Sequence, residues 1–136
     1  MRLFALALPL AAALLLAGTA AAAKPATGFT GSPAFVSTPS ADSIHRDVSL
    51  TVTFTHRAAV EVRVTITIHG VVNGPFTAFY RGVGSESLTW ETTGIPDCVP
   101  GGIAPGDEVS YSLQLVQTHG HHAAVVDEIT TDTFHA

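Results

Sequence analysis

The chain has 136 residues, six Lys and Arg against eleven Asp and Glu, and a formal net charge of −5. This length holds one domain once a targeting segment is set aside. The acidic balance excludes nucleic acid and anionic membrane surfaces as partners, because both need clustered Lys and Arg.

Taken in order, Arg2 is followed by an apolar run from Leu3 to Ala17 and by the small residues Gly18-Thr19-Ala20-Ala21-Ala22-Ala23. This pattern predicts a cleaved secretory signal peptide over 1–23 rather than a membrane span, because the apolar core is too short to cross. The expected location is therefore periplasmic or extracellular. No cysteine follows the apolar run to take a lipid, and Cys98 is the single cysteine, so no internal disulfide staples the fold. Residues 24–32, rich in Gly, Ser, Thr and Pro, read as a flexible leader, and 33–136 as the folded domain.

From there the hydrophobic period is two. Pro33 to Ser37 is expected as a first edge strand. Val48, Leu50, Val52 and Phe54 alternate with Ser and Thr, and Val60, Val62, Val64, Ile66 and Ile68 alternate with polar residues. Such β-branched alternation predicts strands with one buried face and one wet face. Asn73-Gly74 is predicted as a type I′ hairpin turn, followed by strands over 76–81 and 86–92, the latter with Leu88 and Trp90 inward. Residues 94–106 form a loop with three prolines and four glycines. Val109, Tyr111, Leu113 and Leu115 mark a further strand, and a polar tip, Thr118-His119-Gly120-His121-His122, leads into a last one over 123–134. The whole predicts an all-β, two-sheet antiparallel Greek-key sandwich of about seven strands.

Ser49-Leu-Thr-Val-Thr-Phe54 is similar to the second strand of fibronectin type III and related immunoglobulin-like modules, with Phe54 at the usual place of a core tryptophan. Val60 to Ile66 resembles the third strand. Ile103-Ala104-Pro105-Gly106, followed by Val109 and Tyr111, resembles the turn before the family's tyrosine-bearing strand. Trp90 lies in a later strand than the family pattern, and Tyr111 stands two residues beyond the family's tyrosine position. The resemblance implies architecture alone, since this sandwich hosts unrelated functions.

Seven histidines are the unusual feature of the composition. Neutral imidazole is a common ligand for Cu or Zn. His119, His121 and His122 share one turn, and His56, expected in the turn after the second strand, is placed at the same end, which defines a candidate metal site of four nitrogens. The plainer reading of that tip is a solvated polar turn. His45 and His69 are expected near the Cys98 loop at the opposite end, but a blue-copper set fails because no histidine closely follows Cys98 and Met1 is the only methionine. No nucleophile elbow, zinc-protease helix or phosphate loop occurs. The outer faces carry Thr51, Thr53, Thr55, Thr65 and Thr67, a surface suited to a protein or glycan partner. The expected function is that of an exported, non-catalytic binding or structural module with no resident cofactor, the alternative being a periplasmic Cu- or Zn-binding protein that uses the histidine-rich loop.

Overall fold

The computed structural model describes residues 26–136; the expected signal segment and the first positions of the leader lie outside the described residues. Eight strands follow in order: β1 (Gly28–Pro39), β2 (Arg46–His56), β3 (Val60–Ile68), β4 (Val71–Tyr80), β5 (Gly84–Thr92), β6 (Glu108–His119), β7 (His122–Thr130) and β8 (Phe134–His135). They form two antiparallel sheets, one ordered β1-β2-β5 and the other β4-β3-β6-β7, with β8 pairing β6 beyond the end of β7. The expected two-layer, all-β architecture is therefore observed. Among the described residues no helix is long and apolar enough to cross a membrane.

The core is built from the strands that lie inside their sheets. In β2 the even positions Val48, Leu50, Val52 and Phe54 are buried, and β3 buries Val60, Val62, Val64, Ile66 and Ile68 in the same rhythm. Strand β6, beside β3 in the same sheet, adds Val109, Tyr111, Leu113 and Leu115 to the layer that faces β2. A strand with neighbours on both sides cannot roll, so its pleat sends every second side chain into the same dry layer. Each such side chain contributes about 1.5–3 kcal/mol when fully buried. Ile103, from the loop after β5, closes one end of the layer and is itself fully buried. Its amide donates to the Gly94 carbonyl and its carbonyl accepts from Arg46 N–H. That crossing passes so close to Arg46 that a β-carbon at position 94 would run into the Arg46 carbonyl, which leaves room for glycine alone.

Two expectations change. Strand β1 opens at Gly28, five positions ahead of the boundary expected at 33, so the later part of the supposed leader is paired with β2. The reason is Phe29, whose ring packs edge-to-face on Phe54 at 6.2 Å, and whose N–H donates to Asp127 Oδ2 at 2.8 Å. The β3–β4 turn is His69-Gly70, not Asn73-Gly74. Ile68 pairs with Val71, and the two intervening residues have φ of 53° and 73°, as a type I′ turn demands. Asn73 and Gly74 instead lie inside β4, where the register against β3 shifts between Val64 and Ile66. Gly74 has φ of 104°, and a β-carbon there would come within 2.8 Å of the Val64 carbonyl, so glycine is required by a bulge rather than by a hairpin. The Gly74-Pro75 peptide is cis.

Candidate functional site

The two sheets meet differently along their two sides. Phe29 on β1 bonds to Asp127 on β7, which fixes these strands on one side. On the other side β4 faces β5, joined by the Phe76–Trp90 ring stack at 5.0 Å and 23° between planes. The bulge at Gly74 bends β4 there, and a groove of about 270 Å³ opens between the sheets. Asn73, Phe76, Trp90, Glu91, Thr92 and Cys98 line it, with Ile66 and Ile68 of the core as its floor. Cys98 is exposed as a free thiol.

Beside the groove, β4 is an edge strand, so half of its backbone N–H and C=O groups have no partner in the sheet. None of its ten residues is charged. Its side chains are largely apolar and exposed: Val71 is 60% exposed, Val72 64%, Phe76 40% and Phe79 74%. Val83, just past its end, is 78% exposed. Strand β1, the edge of the other sheet, is likewise uncharged, but the remaining two edges differ. Strand β5 carries Glu86 and Glu91, and β7 carries Asp127 and Glu128. Ordinary edge strands are blunted by charge; β4 has only its bulge and Pro75.

The position of His56 follows from the pleat. It continues the inward series of β2 and is 1% exposed, which removes it from the tip. Its Nδ1 lies 3.0 Å from the Ala58 carbonyl and 2.9 Å from the Gly82 carbonyl, and its Nε2 lies 3.1 Å from Glu86 Oε1. Carbonyl and carboxylate oxygens accept only, so both ring nitrogens are placed to donate, the pattern of an imidazolium. Burial drives the ring towards its neutral form, but the Glu86 carboxylate and the two carbonyls outweigh it, and the pKa lies above the usual histidine value. Phe54 and Tyr80 flank the ring at 6.0 and 6.2 Å. The result is an anchor: His56 ties the Tyr80–Gly84 crossover, and with it the end of β4, to the β2–β3 turn.

The remaining site candidates are spread out. His119 and His122 form the last pair of the β6–β7 hairpin, whose turn is Gly120-His121. All three histidines are exposed, and His119 Nε2 contacts the Gln117 amide at 2.8 Å. The proposed set of His56, His119, His121 and His122 is therefore not brought together, because His56 faces inward with both nitrogens engaged. Among the described residues no group of three or more His, Cys, Asp or Glu side chains is gathered to hold a metal ion. At the opposite end, His45 Nδ1 meets Asp42 Oδ2 at 2.6 Å. His69 Nε2 lies 3.1 Å from both Asp107 Oδ2 and the Gly102 carbonyl. The Asp42 carboxylate also accepts from the Ile44 and His45 amides. The His45 amide, the His45 ring and the Ile44 amide together lower its pKa to about 2. These contacts tie turns to one another.

The residues of the open side were not singled out by the sequence reading, apart from Trp90 as an inward side chain and Cys98 as a thiol. The signal that marks them is negative: Val71–Tyr80 is a strand-length run without a charge and without alternation of apolar and polar residues. No known protein family, curated protein or solved structure matches the chain.

Proposed function

We propose that this protein is an exported, non-catalytic binding or structural module that recognises a protein partner through the open side of its sandwich. The observation that carries this reading is the uncharged, exposed apolar edge β4 beside the Phe76–Trp90 groove. Val71, Val72 and Phe79 leave most of their apolar surface outside the core, and a long uncharged edge favours pairing with another chain. An extended segment laid along β4 gains main-chain hydrogen bonds from the edge and side-chain contact from the groove. The sequence of residues 1–23 supports export. The strand order supports kinship with fibronectin type III-like sandwiches, with a three-stranded sheet facing one in which the fourth strand pairs with the third.

The contacts made by His45, His56 and His69 support a non-catalytic reading, since each side chain holds a turn or a crossover in place. The test is photo-crosslinking in the producing cell, with a photoreactive phenylalanine analogue at Phe79 on β4 or at Ser87 on the outer face of β5. Light-dependent adducts from position 79 alone are the expected result. Equal yields from both positions, or none from 79, overturn the assignment of the recognition face.

A further inference from the structure

We infer that the occupant of the β4 edge is a second copy of this chain, paired antiparallel about a two-fold axis so that two five-stranded sheets become one of ten strands. This rests on the reading of the open side as the recognition face and names its partner.

Charge and apolar exposure together select this edge. The chain is net acidic, at −5, so two copies repel wherever their carboxylates meet. A β5–β5 pairing brings together Glu86 and Glu91 of both chains, and a β7–β7 pairing brings together Asp127 and Glu128. Strand β1 is uncharged too and, like β4, carries a bulge and prolines, but Val36 is its one exposed large apolar side chain among the described residues, and its start is held by Asp127. Like charges directly opposite across a strand pair are destabilising, and an isologous interface sets each patch against itself. Strand β4 is the edge that meets its own copy with no carboxylate in the pairing and with four large apolar side chains exposed. Covering Val71, Val72, Phe76, Phe79 and Val83 on both chains removes roughly 1,000 Å² of surface, the lower bound of a specific interface.

The pleat restricts the register. Phe76, Ala78 and Tyr80 pair with the buried Val64, Val62 and Val60 of β3, so they share the inner face, while Thr77 and Phe79 pair with Arg63 and Glu61 on the outer face. Directly opposed residues of an antiparallel pair point to the same side, so the two-fold axis passes through a residue position, and on the bulge-free stretch Phe76–Tyr80 the central choices are Thr77 and Ala78. In the first register Phe76 of each chain lies beside Ala78 of the other, and in the second beside Tyr80. Both extend the Phe76–Trp90 stack across the axis and close the mouth of each groove.

Sedimentation velocity of the processed chain at tens of micromolar tests the pairing. A dimer is expected, and it should weaken about tenfold or more with Thr77→Lys, which sets like charges opposite or diagonal across the axis, or with Phe79→Lys, which removes the most exposed aromatic of the edge. Both positions are exposed, and an unchanged circular-dichroism spectrum verifies that the variants fold. In a Cys98→Ser background, Thr77→Cys or Ala78→Cys should form a self-disulfide on mild oxidation, because opposed β-carbons lie about 4.5–5.5 Å apart. Val125→Cys on β7 should not. A chain that stays monomeric throughout overturns the inference, as does a dimer that ignores the lysine substitutions and fails to crosslink at 77 and 78. If the monomer result comes with photo-crosslinks from Phe79 to another protein, the recognition face stands and only the identity of its partner falls.

Discussion

The two long sides of the sandwich are built from the same kind of strand but end in opposite ways. Along the β1–β7–β8 side, Phe29 spans the gap to Asp127, and Phe35 stacks on Phe134 at 4.4 Å with nearly parallel rings. Both phenylalanines also approach Tyr111. Along the β4–β5 side, one ring pair bridges the sheets and the adjoining groove stays open. One side spends its aromatic residues on closing the fold, while the other leaves Phe79, Val72 and Val83 in water. Apolar groups retained in water, away from the core, point to recognition rather than to folding. The balance is not absolute, since Val125 and Val126 near the start of β7 remain half-exposed.

On this contrast, stability should respond to the anchored positions and scarcely at all to the open edge. The largest effect is expected at His56. His56→Ala leaves a buried cavity and strands the Ala58 and Gly82 carbonyls, at a cost of about 3 kcal/mol by urea unfolding near pH 6. The same residue gives a pH signature. Its pKa is raised above the ordinary 6.5 in the folded state, so its contribution is complete below that value and is lost as pH rises through the folded pKa. Wild-type protein should therefore lose stability in that window, and the His56→Ala variant should lose this component.

Next comes the closed side, where Phe29→Ala should cost about 2 kcal/mol and raise hydrogen-exchange rates in β1. An effect under about 0.5 kcal/mol would show that this closure is superficial. Tyr111→Phe should stabilise by about 1 kcal/mol, because the Tyr111 hydroxyl is buried with no hydrogen-bond partner among the described residues. The smallest shift belongs to Phe79→Ser, expected within about 0.5 kcal/mol of wild type. A clear destabilisation of the monomer there would assign Phe79 to the fold and blur the contrast between the two sides.

Particular residues show how far the sequence could be read. The alternation in β2, β3 and β6 was legible because strands inside a sheet are forced by their neighbours to keep a strict pleat. His56 was legible by the same rule, as the next even position after Phe54, although its placement in a turn at the tip obscured this. The hairpin was not, because His69 is an unusual residue to take positive φ and Asn73-Gly74 offered the commoner turn signal. Phe29 was missed because a single aromatic in a Gly- and Ser-rich stretch carries no period. The groove was out of reach, since its walls come from β4, from the end of β5 and from the loop bearing Cys98, brought together only when the sheets stack.

By itself, the order of residues determined the all-β class, the central strands and their inward side chains, because a period of two needs nothing beyond the local pleat to take effect. Which edges are closed, which one stays open, and where each histidine resides were decided by the tertiary structure alone. Those outcomes depend on contacts between segments far apart along the chain, and no local pattern encodes how two sheets will lie against each other.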